Sequence, residues 1–97
     1  MPGRRRCRRV GFPPSFTSFG PAAEGRVNEP EEAILSVDEF EAVRLKDLEG
    51  LDQIECAALM EISQPTFHRL VVSARRKIAD ALTYGKTIKI EGGNYRF

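Results

Sequence analysis

Apolar residues recur at every third or fourth position in three stretches of this chain, which is the spacing of amphipathic helices. Each stretch follows a residue that is typical of helix N-caps, namely Ser36, Asp52 and Ser63. A glutamate stands three positions after each of the first two caps and completes a capping box. The pattern therefore predicts three helices, over residues 37–48, 53–60 and 63–82.

The third predicted helix is the longest and the most regular of the three. Its apolar residues fall within roughly 120° of arc, so we expect one face to bury Phe67, Leu70, Val71, Ala74, Ile78, Ala81 and Leu82. Pro65 lies in the first turn, where its missing N–H costs nothing, and Gly85 is expected to end the helix. In the first helix, one broad apolar arc consists of Val37, Phe40, Val43, Leu45 and Leu48, and in the second helix the predicted inner face consists of Ile54, Ala57 and Ala58.

The two ends of the chain lack helical spacing. Five of the six prolines lie in residues 1–30, which predicts an extended arm, and we interpret the acidic residues Glu29, Glu31 and Glu32 as a solvated linker. Residues 87–91 alternate between polar and apolar, which predicts a strand that pairs in a short hairpin with the N-terminal segment. The predicted organisation is an arm (1–30), a helical domain (31–85) and a strand with a tail (86–97).

The connection between the second and third predicted helices is short enough to have functional meaning. Only Glu61 and Ile62 separate the second helix from the cap of the third, so the two helices must cross steeply and the third must project outward. The small Ala57 permits the close crossing, and Phe67 and Leu70 anchor the third helix. One residue of such a turn usually has a positive φ angle and is glycine; here Glu61 takes that place, at a cost of about 1 kcal/mol. The pattern predicts a mostly α fold with a three-helix helix-turn-helix domain.

The outward face of the third helix offers candidate contacts to DNA. Its first turns present side chains that hydrogen-bond base edges in a major groove, namely Gln64, Thr66, His68 and Arg69. Other residues are candidates for phosphate contacts, namely Ser63, Arg75, Arg76 and Lys77. The basic arm suits a minor groove and contributes Arg4, Arg5, Arg6, Arg8 and Arg9. A solvated helix face and a solubilising tail are the simpler interpretations of the same residues.

Composition and charge narrow the class of protein. Apolar residues make up 41% and charged residues 30% of 97 residues, which is typical of one globular domain. The formal net charge is only +1, but the charges are unevenly distributed. Residues 1–27 carry six arginines and one glutamate, and residues 63–97 carry seven basic and two acidic residues. Between them, residues 28–62 carry eleven acidic and two basic residues. Two basic ends favour a polyanionic partner, unless the charges mix on the folded surface.

Other functional classes find little support. No run of 18 apolar residues and no secretion signal is present, so we expect a cytoplasmic protein without membrane contact in which Cys7 and Cys56 are free thiols. Cys7, Cys56 and His68 lack the paired spacing of zinc ligands. No glycine-rich phosphate loop and no Cys–His nucleophile pair appears. We therefore expect no metal, no cofactor and no enzymatic activity.

Two resemblances make this interpretation more specific. Residues 43–82, VRLKDLEGLDQIECAALMEISQPTFHRLVVSARRKIADAL, resemble region four of bacterial sigma factors. Nearly the whole chain resembles the domain-of-unknown-function 134 family of predicted prokaryotic DNA-binding proteins, on the pieces RRV, SVDEFEAVRLKDLEGL, ISQPTFHRLVVSARRKIADAL and IEGGNY. The resemblance implies a sigma-region-four-like fold and a regulatory role, without a known target. Glu61 departs from the usual glycine of the turn.

We therefore expect a sequence-specific protein that binds double-stranded DNA and regulates transcription, alone or as a homodimer on paired half-sites. Two other classes stay open. A protein-interaction module that contacts the transcription machinery would suit the acidic middle of the chain, because sigma region four also contacts proteins. RNA binding would suit the aromatic residues beside the arginine cluster, namely Phe12, Phe16 and Phe19.

Overall fold

The structure is a computed structural model that describes residues 7–22 and 31–97. Along these residues the chain forms, in order, β1 (Arg8–Arg9), β2 (Ser18–Phe19), β3 (Glu32–Leu35), α1 (Val37–Val43), a π-helical turn (Arg44–Leu48), α2 (Gln53–Met60), α3 (Gln64–Tyr84), β4 (Thr87–Ile90) and β5 (Tyr95–Arg96). No helix within this part of the chain has the length and apolarity that crossing a bilayer requires.

All three predicted helices are confirmed, together with their N-caps. The side chain of Ser36 accepts a hydrogen bond from the Glu39 N–H, and Glu39 accepts one from the Ser36 N–H, so the predicted capping box of α1 is present. Asp52 and Glu55 form the same box on α2, and Ser63 caps α3. The last five residues of the first helix are wound as a π-helix, which the apolar spacing does not predict.

The predicted apolar faces of all three helices need correction. Leu48, at the end of the π-helical turn, is 77% exposed. Leu82 is 77% exposed, because it lies at the edge of the apolar arc of α3 and one residue beyond Ala81, the last buried residue of that helix. In α2, Ile54 and Ala58 are exposed, and the buried residues are Cys56, Ala57 and Met60. That short helix is apolar nearly all round, so its periodicity could not indicate which side faces inward.

The helices enclose two apolar clusters, and α3 contributes to both. The first lies between the π-turn, α2 and α3, and is formed by Ala42, Leu45, Cys56, Ala57, Met60, Phe67 and Val71. The second lies between α1, α3 and the strands, and is formed by Val10, Leu35, Val37, Ala74 and Ile90. Because α3 is packed over most of its length, its outer face is held in a fixed orientation relative to the rest of the domain.

The strand predicted after α3 is confirmed, and so is its pairing with the N-terminal segment, which is made by β2; its longer pairing with β3 was not predicted. β4 pairs in parallel with β3 over four residues and antiparallel with the two-residue β2, and β1 pairs in parallel with β5. β3 begins at Glu32, within the segment interpreted as a solvated linker. Glu32 is exposed, as predicted, but it belongs to a paired strand and not to a linker, and its carboxylate pairs with Lys89 at 3.1 Å. Glu29 lies outside the described residues.

Candidate nucleic-acid interface

The turn between α2 and α3 has the backbone conformation that its length predicts. Glu61 lies in the left-handed region, with φ 58° and ψ 44°, and the N–H of Ile62 bonds to the carbonyl of Ala57 at 3.0 Å. The Glu61 carboxylate accepts a hydrogen bond from the guanidinium of Arg96 in β5. A side chain with a partner explains why the turn can hold glutamate where glycine would relieve backbone strain.

The first two turns of α3 present the predicted base-contacting residues at the surface. Gln64, His68 and Arg69 are exposed, and Thr66 is half-buried. The Thr66 hydroxyl accepts hydrogen bonds from the Ser63 hydroxyl at 2.9 Å and from Nη2 of Arg69 at 3.2 Å. Arg69 is therefore held against the start of the helix, where its remaining N–H groups face solvent.

The basic residues of α3 divide into paired and unpaired cations. Arg75 binds Asp47 through two contacts, Nε–Oδ2 at 3.0 Å and Nη2–Oδ1 at 2.5 Å, and this hydrogen bonding lowers the pKa of Asp47. Lys77 binds Glu39 at 2.7 Å. Arg69 and Arg76 have no carboxylate partner among the residues that the structure describes. These two arginines are seven positions apart and share the outermost stripe of the helix.

Glu39 ties α1 to the middle of α3. Its carboxylate is 6% exposed and accepts hydrogen bonds from the Ser36 N–H at 2.9 Å, the Ser73 hydroxyl at 2.5 Å and Lys77 Nζ at 2.7 Å. Burial raises the pKa of Glu39, but the hydrogen bonds from Lys77, Ser73 and Ser36 outweigh it, so the pKa is lowered. A charged carboxylate with three donors is a stable interior link and fixes the rotation of α3.

A lowered pKa at Glu39 makes the stability of the protein depend on pH. The charged form contributes stability above the ordinary pKa of a glutamate, and the contribution is lost as the pH falls through the lower pKa of the folded state. We expect Glu39→Gln to reduce the free energy of unfolding by about 1–3 kcal/mol at pH 7. Urea denaturation should also show a smaller loss of stability between pH 7 and pH 3 in this variant than in the parent. An equal loss of stability in the variant and the parent would show that the pKa of Glu39 is not lowered by folding.

Comparison with known proteins identifies the family. The model described as "Protein of unknown function DUF134" matches residues 1–97. The chain belongs to the DUF134 family. A UPF0251 protein of Thermoanaerobacter pseudethanolicus is 53% identical over 96 residues, which are 99% of this chain and 80% of that protein. A UPF0251 protein of Moorella thermoacetica is 56% identical over 95 residues, which are 98% of this chain and 63% of that protein. No solved structure matches the chain.

The basic arm of this DUF134 chain is only partly within the described residues. Arg8 is half-buried, and its Nε lies 3.8 Å from Oδ2 of Asp38 at the start of α1. Arg9 is exposed. Arg4, Arg5 and Arg6 lie outside the described residues.

Sequence reasoning did not find the partners of the predicted cations. Asp47 and Arg75 are 28 positions apart, and Glu39 and Lys77 are 38 apart, so only the packing of the π-turn and of α1 against α3 brings them together. Arg96 was also missed as a neighbour of the α2–α3 turn, since no local pattern connects β5 with Glu61. Within residues 7–22 and 31–97, no three side chains of the metal-binding types gather in this DUF134 domain, and Cys56 is a buried thiol whose pKa is raised by burial.

Proposed function

We propose that this DUF134 protein binds duplex DNA sequence-specifically through α3 and regulates transcription. The main support comes from the outermost stripe of α3. There Arg69 and Arg76 have no carboxylate partner in the described chain, whereas the neighbouring Arg75 and Lys77 do. The left-handed turn at Glu61 supports a helix-turn-helix of the sigma-region-four type. Unpaired cations on an exposed helix with a firmly packed inner face suit entry into a major groove.

The first two turns of α3 are proposed to read bases. A guanidinium recognises guanine through two parallel hydrogen bonds, and an amide such as that of Gln64 recognises adenine in the same way. Thr66 holds Arg69 before DNA arrives, which reduces the conformational entropy lost on binding. His68 lies on the same exposed face. A single helix reads only a few base pairs, so we expect high specificity to require a second copy on a neighbouring half-site.

The later turns of α3 are proposed to contact phosphates. The helix has 21 residues and is therefore about 30 Å long, so it extends past the groove floor towards the backbone. Arg76 is the best candidate. Ser63 lies at the other end, where its hydroxyl is already bonded to Thr66, so we expect a smaller contribution from it. Arg75 and Lys77 would have to share their charge with Asp47 and Glu39, so we expect smaller contributions from them.

A salt titration tests this proposal. Replacing Arg76 by alanine should weaken binding to every duplex alike and should reduce the slope of log affinity against log salt concentration by about one. Lys89→Ala is the matched control, because it removes one positive charge from β4, where Lys89 is paired with Glu32. Binding can be measured by fluorescence anisotropy with a 30-base-pair duplex. Failure of the parent protein to bind any duplex at low ionic strength would contradict the proposal.

A protein contact is the second candidate function, because the outer face of α2 is apolar. Ile54 and Leu59 are exposed there, and Asp52 and Glu55 lie on the same helix end without a basic partner within the part of the chain that is described. An apolar groove of about 470 Å³ lies next to the π-turn and includes Leu48. No residue of α2 lines this groove, so the two are separate candidate surfaces, and they would be tested first if the parent protein did not bind duplex DNA.

A further inference from the structure

The paired strands β1 and β5 form a two-stranded ribbon that is firmly attached to the domain. Arg8 aligns with Tyr95 and Arg9 with Arg96, and the ribbon is closed by hydrogen bonds from the Arg8 N–H to the Asn94 carbonyl at 3.1 Å and from the Val10 N–H to the Arg96 carbonyl at 2.8 Å. Val10, the next residue, is 1% exposed in the second apolar cluster. The ribbon is therefore fixed in position relative to α3.

The two sides of the ribbon differ in burial and in charge. Successive side chains of a strand point to opposite faces, and aligned residues of paired strands share a face. Arg8 and Tyr95 are half-buried and face the domain, while Arg9 and Arg96 are exposed and share the outer face. Of the two arginines on the outer face, only Arg96 has a carboxylate partner in the described regions, namely Glu61. The outer face of the ribbon therefore carries an uncompensated positive charge.

The ribbon lies beside the N-terminal end of α3. The contact between Arg96 and Glu61 places its outer face at the α2–α3 turn, two residues before Ser63, the cap of α3. The pair Arg8–Asp38 attaches the inner face to the start of α1. Consequently the end of α3 that is proposed to read bases and the outer face of the ribbon are neighbours.

An α-helix with its side chains is 10–12 Å across, and the major groove of B-DNA is about 12 Å wide. A helix in the groove thus leaves no space at its sides, and an element beside it meets the phosphates at the edge of the groove. We propose that the β1–β5 ribbon is a second DNA-contacting element, in which Arg9 and Arg96 bind the sugar–phosphate backbone that flanks the groove occupied by α3. This inference rests on the proposed function of α3.

Phosphate binding by Arg9 depends on charge and not on the geometry of a base edge. The ribbon is therefore expected to increase affinity for all sequences, whereas Arg69 discriminates between them.

The test compares two double variants that each remove two positive charges. Arg9→Ala combined with Arg96→Ala should reduce the salt slope by about one to two, because Arg96 shares its charge with Glu61, and should reduce the affinity for a 30-base-pair duplex roughly tenfold at moderate salt. The control combines Lys86→Ala with Lys89→Ala, which lie beyond the opposite end of α3 and on β4. Arg9→Lys keeps the charge and should bind like the parent.

The single variant Arg9→Ala separates a loss of DNA contact from a loss of folding. Arg9 has no carboxylate partner in the ranges that the structure covers, so its replacement should leave the thermal midpoint unchanged. Hydroxyl-radical footprinting should show protection on one flank of the α3 site that this variant loses. The ribbon proposal would be wrong if the two variants with Arg9→Ala lost no more affinity than the Lys86→Ala, Lys89→Ala control. If Arg76→Ala still weakened binding, the proposed role of α3 would stand. Absence of binding by the parent protein would overturn both.

Discussion

Arg69→Ala should abolish most of the discrimination between the preferred duplex and one that differs at a single base pair. A bidentate arginine–guanine contact contributes about 1–3 kcal/mol of discrimination, which corresponds to roughly a 5- to 150-fold difference in affinity. The hydrogen bond to Thr66 that holds Arg69 in place adds to the expected effect. The preferred sequence can be selected from a random duplex pool, and the affinities can then be compared by competition.

Arg76→Ala is the matched control for selectivity, since it removes the same functional group from the same stripe of α3, two turns further along. We expect this variant to weaken binding to both duplexes by the same factor, so that their ratio is preserved. If the ratio were unchanged in Arg69→Ala as well, Arg69 would not contact a base. Gln64 and His68 would then be the next residues to replace.

The second large effect is expected in the turn before β5. Gly93 has φ +102°, and a Cβ atom at this position would lie 2.4 Å from Oδ1 of Asp38 and 2.9 Å from Cβ of Ser36. Asp38 is buried in the first turn of α1, and Ser36 is the half-buried N-cap of the same helix, so neither can move away freely. Gly93→Ala should therefore lower the free energy of unfolding by about 3 kcal/mol, from backbone strain and overpacking together. Urea denaturation measures this loss.

Gly92 provides the control, because it also has a positive φ, +75°, but a Cβ atom there would meet nothing within 4 Å. Gly92→Ala should cost only the strain of a left-handed residue, about 1–2 kcal/mol. Equal losses in the two variants would show that the close approach of Gly93 to Asp38 does not matter. Since Gly92 and Gly93 lie in the IEGGNY segment, the experiment also explains what that segment does for the fold.

Local patterns predicted the helices because caps and apolar spacing act within a few residues. Ser36, Asp52 and Ser63 each cap the helix that they were expected to cap, and Glu61 adopts the positive φ expected of the turn. The same patterns predicted that Leu82 and Ile54 are buried, whereas both are exposed. Periodicity reports how apolar a face is, but the position of the neighbouring elements decides whether that face is covered.

Long-range features were beyond the reach of local patterns. The parallel pairing of β3 with β4 joins segments that are separated by all three helices, and nothing in the sequence around Glu32 distinguishes a short edge strand from a linker. For the candidate site, the exposed residues of α3 could be named from a helical wheel. Which of its cations are neutralised depends on the crossing of α1, so the distinction between Arg76 and Lys77 required coordinates.

The participation of α3 in both apolar clusters separates two kinds of position along one helix. Phe67, Val71 and Ala74 point inward and maintain the architecture, whereas Gln64, His68 and Arg69 point away from it. Changes at the outward positions leave the interior intact. Under the proposed function, a lineage would therefore acquire a new recognition sequence by altering three side chains without refolding the molecule.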